Sequence, residues 1–323
     1  MEATPFSLVE PIAIMPLDPV WRKDNLGALL FSAADCCVRS KLKAVHGGGY
    51  PTISDAQLTL FHHLRPGGMR LTALAAEANL TKQSMIELVD RATSLGLVER
   101  CPDPNDKRAK TVHLTPNAAD FIAVLRRGIL DAERDVREIF GATFYMEVKH
   151  KLGAYAVEVD PSPIPSDGLD EDAWRLQNVG RLFAMAARRF SGEALDVAHR
   201  RGWQSVTEVS LGLFRNLALE GSRLTDIANA ARVTKQSMRE QVDRAEALFL
   251  VRRCPDTHDR RAKMIVFTPK GLEMLEDVRQ GLSKAEQRFI QRTSAEFTAS
   301  LRRLLKYYTS LSDRNPRRKQ CDG

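Results

Sequence analysis

Apolar residues recur at a helical spacing along most of this chain. Leu26, Leu29 and Leu30 lie three or four residues apart, and this period is typical of a helix with one buried face. Helices are predicted over about 21–45, 54–64, 71–78, 82–95, 116–138, 142–157 and 172–200. The long helices at both ends of residues 21–157 carry apolar stripes, so they need a packing partner.

A short helix, a tight turn and a second helix are predicted around residue 80. Thr81 is a residue type that caps helix N-termini, and Met85, Val89 and Ala92 fall on one face of the helix that follows. The residues that point elsewhere on this helix are Lys82, Gln83, Ile86, Asp90 and Arg91. Two short helices in this order are typical of a helix-turn-helix.

The pattern then changes to two short strands. Residues 97–101 and 110–115 are predicted strands on either side of the turn-forming residues 102–108, which together predict a β-hairpin. Pro116 is placed at the first position of the next helix. A helix-turn-helix followed by a hairpin is a winged helix, so the predicted fold is mainly α-helical with small β-hairpin wings.

The same pattern occurs twice. Residues 81–85 recur unchanged as residues 234–238, at an offset of 153, and 27 of the 50 residues from 71 to 120 are identical to those from 224 to 273. The same offset superposes Trp21 on Trp174. The sequence thus predicts an extended N-terminal arm (1–20), a first winged-helix unit (21–158), a proline-rich linker (159–170), a second unit (171–312) and a basic tail (313–323).

Composition narrows the class of protein. The chain of 323 residues carries a net charge of +7, which suits an anionic partner. It contains no run of about 18 apolar residues, as a membrane span needs, and its start lacks the pattern of a secretion signal. We expect a cytoplasmic protein that does not enter membranes. We expect its five cysteines to be reduced, and Cys36, Cys37, Cys101 and Cys254 to be buried and inert.

The hairpin carries a recognisable motif. Residues 97–98, 102–104, 106–109 and 115–116 read Leu-Val, Pro-Asp-Pro, Asp-Lys-Arg-Ala and Thr-Pro, and the second copy has closely matching residues from 250 to 271. These residues resemble the MarR family of bacterial transcriptional regulators. The resemblance covers about 50–125 and 203–278 well, and the flanking helices by pattern alone.

Several properties follow from the resemblance. Family members are homodimers whose terminal helices interlock and whose two winged helices face successive major grooves. Here both halves lie on one chain, which implies a monomer that acts as an intramolecular pseudo-dimer on a double-stranded DNA operator of roughly 20 base pairs. The resemblance also implies repression and a small aromatic effector bound between the terminal helices and a winged helix. It implies no cofactor.

The candidate DNA-binding residues follow from where a recognition helix and a wing meet DNA. On the recognition helices they are Thr81, Lys82, Gln83, Ser84, Ile86 and Arg91, and Thr234, Lys235, Gln236, Ser237, Arg239 and Arg244. On the wings they are Lys107, Arg108, Lys110, Arg260, Arg261 and Lys263, with Asp106 and Asp259 orienting the arginines. No catalytic set and no metal set is found, and His62–His63 is interpreted as packing or solvent-exposed.

Alternatives remain for several of these residues. Polar residues on any solvated helix have the same appearance, so a winged helix that binds proteins remains a rival function. A thiol-based redox sensor and a thiol-dependent enzyme are the other rival functions. Glu87 precedes Arg91 by four residues, as Glu240 precedes Arg244. This spacing favours an ion pair that steers the arginine, and the alternative is a carboxylate that accepts from cytosine N4.

The two recognition helices differ on their outer faces. Ile86 is matched by Arg239, and Asn79 in the preceding turn by Arg232. Isoleucine can contact a thymine methyl group, whereas arginine can bind guanine, so an imperfect palindrome is predicted. In the alternative interpretation, Ile86 packs against its own wing and Arg239 touches only phosphate.

Overall fold

A computed structural model describes residues 20–65, 67–78, 80–103, 109–156, 178–231, 233–256 and 262–313. Its contacts divide the chain into two compact units. The larger unit contains residues 26–192 and 285–323, and the smaller unit contains residues 1–25 and 193–284. Each unit holds one winged helix.

The elements follow one another in the order helix, helix, helix, strand, helix, helix, strand, strand, helix, and then repeat most of that order. The first part of the chain forms α1 (Val20–Lys23), α2 (Leu26–Gly47), α3 (Asp55–His63), β1 (Met69–Arg70), α4 (Leu71–Glu77), α5 (Lys82–Ser94), β2 (Val98–Pro102), β3 (Lys110–Leu114), α6 (Ala118–Phe140) and α7 (Ala142–Ala156). The second part forms α8 (Val179–Arg200), α9 (Glu208–Asn216), β4 (Ser222–Arg223), α10 (Leu224–Ala231), α11 (Lys235–Ala247), β5 (Val251–Pro255), β6 (Lys263–Phe267), α12 (Pro269–Arg292) and α13 (Ala295–Asp313).

Three details of the sequence prediction were wrong. The helix expected over 21–45 is interrupted after α1, where the Asn25 side chain donates to the carbonyls of Trp21 and Arg22 at 3.1 Å and so satisfies backbone groups that a continuous helix would pair. Pro116 lies in a turn ahead of α6 rather than in it. Each wing also has a third strand, β1 or β4, which at two residues is too short to give a pattern.

Each wing is a three-stranded antiparallel sheet with the hairpin's second strand in the centre, in the order β1-β3-β2 and β4-β6-β5. Met69 pairs with Val112 in one sheet, and Ser222 pairs with Ile265 in the other. Both pairs are separated by the offset of the sequence repeat, so the register is the same in both sheets. A shared register gives corresponding side chains the same face in each wing.

The core of each winged helix is formed by the helix stripes seen in the sequence. In the larger unit Met85 and Val89 of α5 are fully buried, and Phe121 contacts Phe61 with ring centroids 4.4 Å apart. In the smaller unit the α11 residues Met238 and Val242 are equally buried. Burial of these inner faces leaves the opposite faces of α5 and α11 outward.

The larger unit also contains a helical layer built from both parts of the sequence. Phe144 of α7 contacts Phe297 of α13, with ring centroids 5.4 Å apart, and Tyr155 contacts Phe289 of α12 at 4.9 Å. Lys151 donates to the Thr293 carbonyl at 3.2 Å. The apolar stripes of the long helices therefore find their partners within one chain.

Candidate nucleic-acid interface

The recognition helix α5 begins with a fixed cap. The Thr81 hydroxyl accepts a hydrogen bond from the Ser84 backbone N–H at 3.1 Å, which satisfies one of the unpaired donors of the first turn. Lys82 and Gln83 lie exposed just after this cap. The cap thus gives Thr81 a structural role and places a lysine at the positive end of the helix dipole.

Helix α11 begins in the same way. Thr234 accepts from the Ser237 N–H at 3.1 Å, and Lys235 and Gln236 are exposed. Further along, Arg239 and Arg244 are also exposed. The charged candidate residues of α11, Lys235, Arg239 and Arg244, are therefore all accessible on the outside of the helix.

The carboxylates on these helices do not pair as the spacing suggested. Glu87 accepts from the Gln83 side chain at 3.2 Å, and Glu240 accepts from Gln236 at 3.1 Å. Arg91 instead donates to the Thr52 carbonyl at 3.0 Å. The predicted ion pairs of these two glutamates with the arginines four residues later are wrong, because the preceding glutamines reach the carboxylates first.

The wings are described only at their bases. Lys110 and Lys263 are exposed first residues of β3 and β6. The turn of the first wing is closed by a hydrogen bond from the Asp103 N–H to the Ala109 carbonyl at 3.1 Å. The other wing residues named from the sequence lie outside the described residues: Asp106, Lys107, Arg108, Asp259, Arg260 and Arg261.

Sequence reasoning missed an ion pair at the base of each wing. Arg70 of β1 donates to Asp103 at 2.6 Å, and Arg223 of β4 donates to Asp256 at 2.9 Å. Both carboxylates are buried, with exposed fractions of 6% and 5%. A buried carboxylate is costly without a partner, so these pairs hold the short third strand to the start of each turn. The signal was present, since both pairs recur at the offset of 153.

A second ion pair joins each wing to its recognition helix. Arg100 of β2 pairs with Asp90 of α5 at 2.6 Å, and Arg253 of β5 pairs with Asp243 of α11 at 2.5 Å. The Arg100 guanidinium also donates to the Ile86 carbonyl at 3.4 Å. These contacts fix the angle between wing and helix.

The four cysteines that the structure describes divide into two groups, and Cys321 lies outside the described residues. Cys36 and Cys37 are buried, as expected, but Cys101 and Cys254 are only half-buried, so the expectation of full burial was wrong for these two. Burial raises the pKa of the Cys37 thiol to about 12, although the Tyr308 hydroxyl at 3.5 Å opposes this shift. The Cys37 thiol therefore stays protonated and unreactive at neutral pH.

Other candidate sites are few. Among the residues that the structure describes, no group of histidines, cysteines and carboxylates could hold a metal ion. Within the same residues no helix is long and apolar enough to cross a bilayer.

A groove of about 540 Å³ lies between α12 and α13 and is lined by Glu286, Ile290, Ala295, Thr298, Ala299, Arg302, Arg303 and Lys306. All of its lining comes from the terminal helices.

A comparison with protein families matches residues 52–109 to the MarR family. Residues 52–109 are a MarR family domain. The matched residues begin at Thr52 and end at Ala109, and they contain helix α5 and strand β2 of the wing. No curated protein matches the chain.

Several solved structures of regulators are similar to parts of the chain. They include a probable transcriptional regulator from Pseudomonas aeruginosa (18% identity, 40% of this chain and 96% of that one, TM-score 0.35). A transcriptional regulator from Thermotoga maritima gives 24% identity over 42% of this chain and 94% of its own, with a TM-score of 0.32. A MepR mutant from S. aureus bound to an oligodeoxyribonucleotide gives 24% over 40% and 95%, with a TM-score of 0.29.

Proposed function

We propose that this protein is a sequence-specific regulator of transcription that binds double-stranded DNA with two winged helices on one chain. The MarR domain at residues 52–109 supports the class of regulator. The observation that carries the proposal is the repetition of one exposed polar helix face. The same capped helix, with an exposed lysine and glutamine in its first turn, occurs on α5 and on α11.

The chemistry of this face suits a DNA duplex. Lys82 and Lys235 are exposed at helix N-termini, where backbone N–H groups and the helix dipole also favour phosphate. Lys110 and Lys263 add a cation at the base of each wing. Side chains beyond the first turn, Arg239 and Arg244 among them, extend far enough to reach base edges in a major groove.

The helical layer supports an arrangement in which one chain acts as a pseudo-dimer produced by tandem duplication. In a homodimer such contacts join two copies, whereas here Tyr155 and Phe289 belong to one polypeptide. A covalent connection replaces the concentration dependence of dimerisation by a fixed effective concentration. We propose that the monomer occupies a pseudo-palindromic operator and represses transcription by occupying it, and that an aromatic effector releases it.

The test is the number of chains on one operator. Site selection with the full chain identifies the operator, and light scattering combined with gel shift measures stoichiometry at low concentration. One chain of 36.1 kDa per operator is expected. Two chains per minimal operator, with no one-chain complex, would contradict the pseudo-dimer, and the absence of any selected duplex would contradict DNA binding altogether.

A matched pair of variants tests the face itself. The double substitution Lys82→Ala with Lys235→Ala removes one cation from each recognition helix and should weaken operator binding at least ~10-fold. The control, Lys43→Ala with Lys284→Ala, removes the same charge from exposed positions on α2 and α12. It should change affinity less than about 3-fold, since only long-range attraction is altered.

A further inference from the structure

The outer faces of α5 and α11 are not equivalent, although their caps and their buried methionine, valine and alanine residues are. We propose that α11 reads the bases of its half-site through Arg239 and Arg244 while α5 contributes mainly phosphate contacts, so that the operator has one guanine-specific half and the chain binds it in one orientation. This inference rests on the proposed DNA-binding function and adds a division of labour between the two helices.

The first observation concerns the arginine near the end of each helix. Arg91 is tied back, because its guanidinium donates to the Thr52 carbonyl at 3.0 Å. The matching residue of the second copy, Arg244, is exposed, and no hydrogen bond or ion pair within the described chain holds its side chain. A DNA contact by Arg91 must break an existing bond, whereas Arg244 is available without that cost.

The second observation concerns the fifth residue of each helix. Ile86 and Arg239 each follow a buried methionine, Met85 or Met238, so both side chains leave the helix on its outer side. Arg239 is exposed. Ile86 is half-buried, and among the described residues it is not one of those packed on the core of its winged helix. Its position is thus suited to contact with something outside the chain.

The contacts between wing and helix also differ between the two copies. Arg100 donates to the carbonyl of Ile86 at 3.4 Å while it pairs with Asp90. In the second copy Arg253 pairs with both Asp243 and Glu246. The wing arginine therefore contacts the backbone at position 86 in the first copy, whereas in the second copy it is held by an additional carboxylate and Arg239 is exposed.

These two side chains recognise different base pairs. An arginine forms a bidentate pair with O6 and N7 of guanine, and isoleucine offers only apolar contact with a thymine methyl group. A good bidentate pair discriminates between bases by about 10- to 100-fold. A homodimer must present the same residue to both half-sites, but a fused chain can present Arg239 to one and Ile86 to the other.

The experiment uses three operators derived from the selected site, with a guanine at the discriminating position in neither half, in one half or in both halves. The full chain should bind the one-guanine operator about 10-fold or more tightly than the operator without guanine. A second guanine should give no more than about a two-fold gain, from the second orientation that it allows, because Ile86 cannot use it. If the second guanine tightens binding as much as the first, the two helices are equivalent and the inference is wrong.

Two reciprocal substitutions sharpen the result. Ile86→Arg should make the two-guanine operator the tightest, and Arg239→Ile should abolish the guanine preference while leaving some phosphate-driven binding. Circular dichroism of each variant checks that the helices remain folded. If the full chain prefers guanine but Arg239→Ile keeps that preference, Arg239 is not the residue that reads it. Failure of all duplexes to bind would instead remove the proposed function.

Alanine substitution of Arg91 and of Arg244 tests the inference independently. Arg244→Ala should weaken binding of the one-guanine operator several-fold more than Arg91→Ala, since Arg91 is already engaged with Thr52. Dimethyl sulfate footprinting of the two-guanine operator, which probes guanine N7, should show stronger protection of the guanine in the half bound by α11. Equal losses for the two substitutions, with equal protection of both halves, would overturn the unequal division of contacts.

Discussion

The winged helices of the larger and smaller units share their internal supports and differ at their surfaces. Thr81 and Thr234 cap corresponding helices. Asp103 and Asp256 accept from corresponding arginines of the short third strand. The two winged helices differ at surface positions, such as the matched residues Ile86 and Arg239. Because both winged helices have the same supporting contacts, the residues that recur in both are those that hold the fold, and the positions that differ are those free to take separate roles.

The smaller unit has one further internal support that the described part of the larger unit does not show. The buried guanidinium of Arg22 donates to the carbonyls of Phe214 and Leu217 at 3.1 and 2.5 Å. These groups lie at the end of α9, where helix carbonyls lack partners. Desolvation by burial lowers the pKa of Arg22, yet the group stays charged and serves as the cap of that helix.

Removal of this cap should have the largest effect on stability. Arg22→Ala leaves two buried carbonyls unpaired and should lower the free energy of unfolding of the smaller unit by about 3 kcal/mol. Urea denaturation, with hydrogen exchange of α9 to α11 as a local probe, measures the loss. Lys23→Ala is the control, because Lys23 is exposed. Equal stability of the two variants would show that the Arg22 contacts contribute nothing.

The helices and caps of the winged helices could be predicted from the sequence, but the hydrogen bonds that join them to residues distant in sequence could not. Periodicity located α5 and the cap at Thr81, because both depend on neighbours in sequence. It could not reveal the bond from Arg91 to Thr52 or the one from Arg22 to Phe214, which join residues 39 and 192 positions apart. The glutamate of α5 was assigned to the wrong partner, since i,i+4 spacing offers Glu87 both Gln83 and Arg91 and the choice depends on the side chains' other contacts.

Thiol labelling separates matched from unmatched cysteines. Cys101 and Cys254 occupy the same half-buried place in each wing, whereas Cys37, whose pKa burial raises to about 12, is matched by Phe190. At pH 8, Cys37 should react with iodoacetamide about 100-fold more slowly than either wing cysteine. Mass spectrometry of peptides after timed quenching gives each rate.

The sign of the pH effect at Cys37 follows from its raised pKa. The protonated thiol is favoured in the folded state, so its contribution to stability is complete below pH 9 and is lost as the pH rises toward 12. Labelling of Cys37 should therefore stay slow at pH 9. Fast labelling of Cys37 at pH 8 would show that the helical layer opens readily.

We expect the bases of the two wings to contribute equally to DNA binding, in contrast to the unequal contributions proposed for the two recognition helices. Lys110→Ala and Lys263→Ala each remove one exposed cation, and each should reduce the slope of log K against log salt by about 1, from an initial slope of about −5 to −9. Affinity at moderate salt should fall roughly 5-fold for each. A change for one lysine alone would place the asymmetry in the wings as well.

The smallest expected effect concerns the turn after each recognition helix. Gly96 adopts φ of +70° there, and its counterpart Phe249 adopts +60° with its side chain 71% exposed. This left-handed region costs a residue with a Cβ atom about 1–2 kcal/mol. In both units the geometry is held by a threonine hydroxyl that donates to the turn carbonyl at 2.5 Å, from Thr115 and Thr268 respectively.

Reciprocal substitutions at this turn should therefore have opposite signs. Gly96→Ala should destabilise the larger unit by about 1 kcal/mol, because alanine meets the left-handed penalty. Phe249→Gly should stabilise the smaller unit by only about 0.5 kcal/mol, since the relief of strain is reduced by the greater freedom of glycine in the unfolded chain and by the lost contact of the ring with Lys270, whose Nζ lies 5.9 Å from its centre. Calorimetry resolves both shifts. A loss of stability in Phe249→Gly would mean that the exposed ring makes a contact worth more than the backbone strain it imposes.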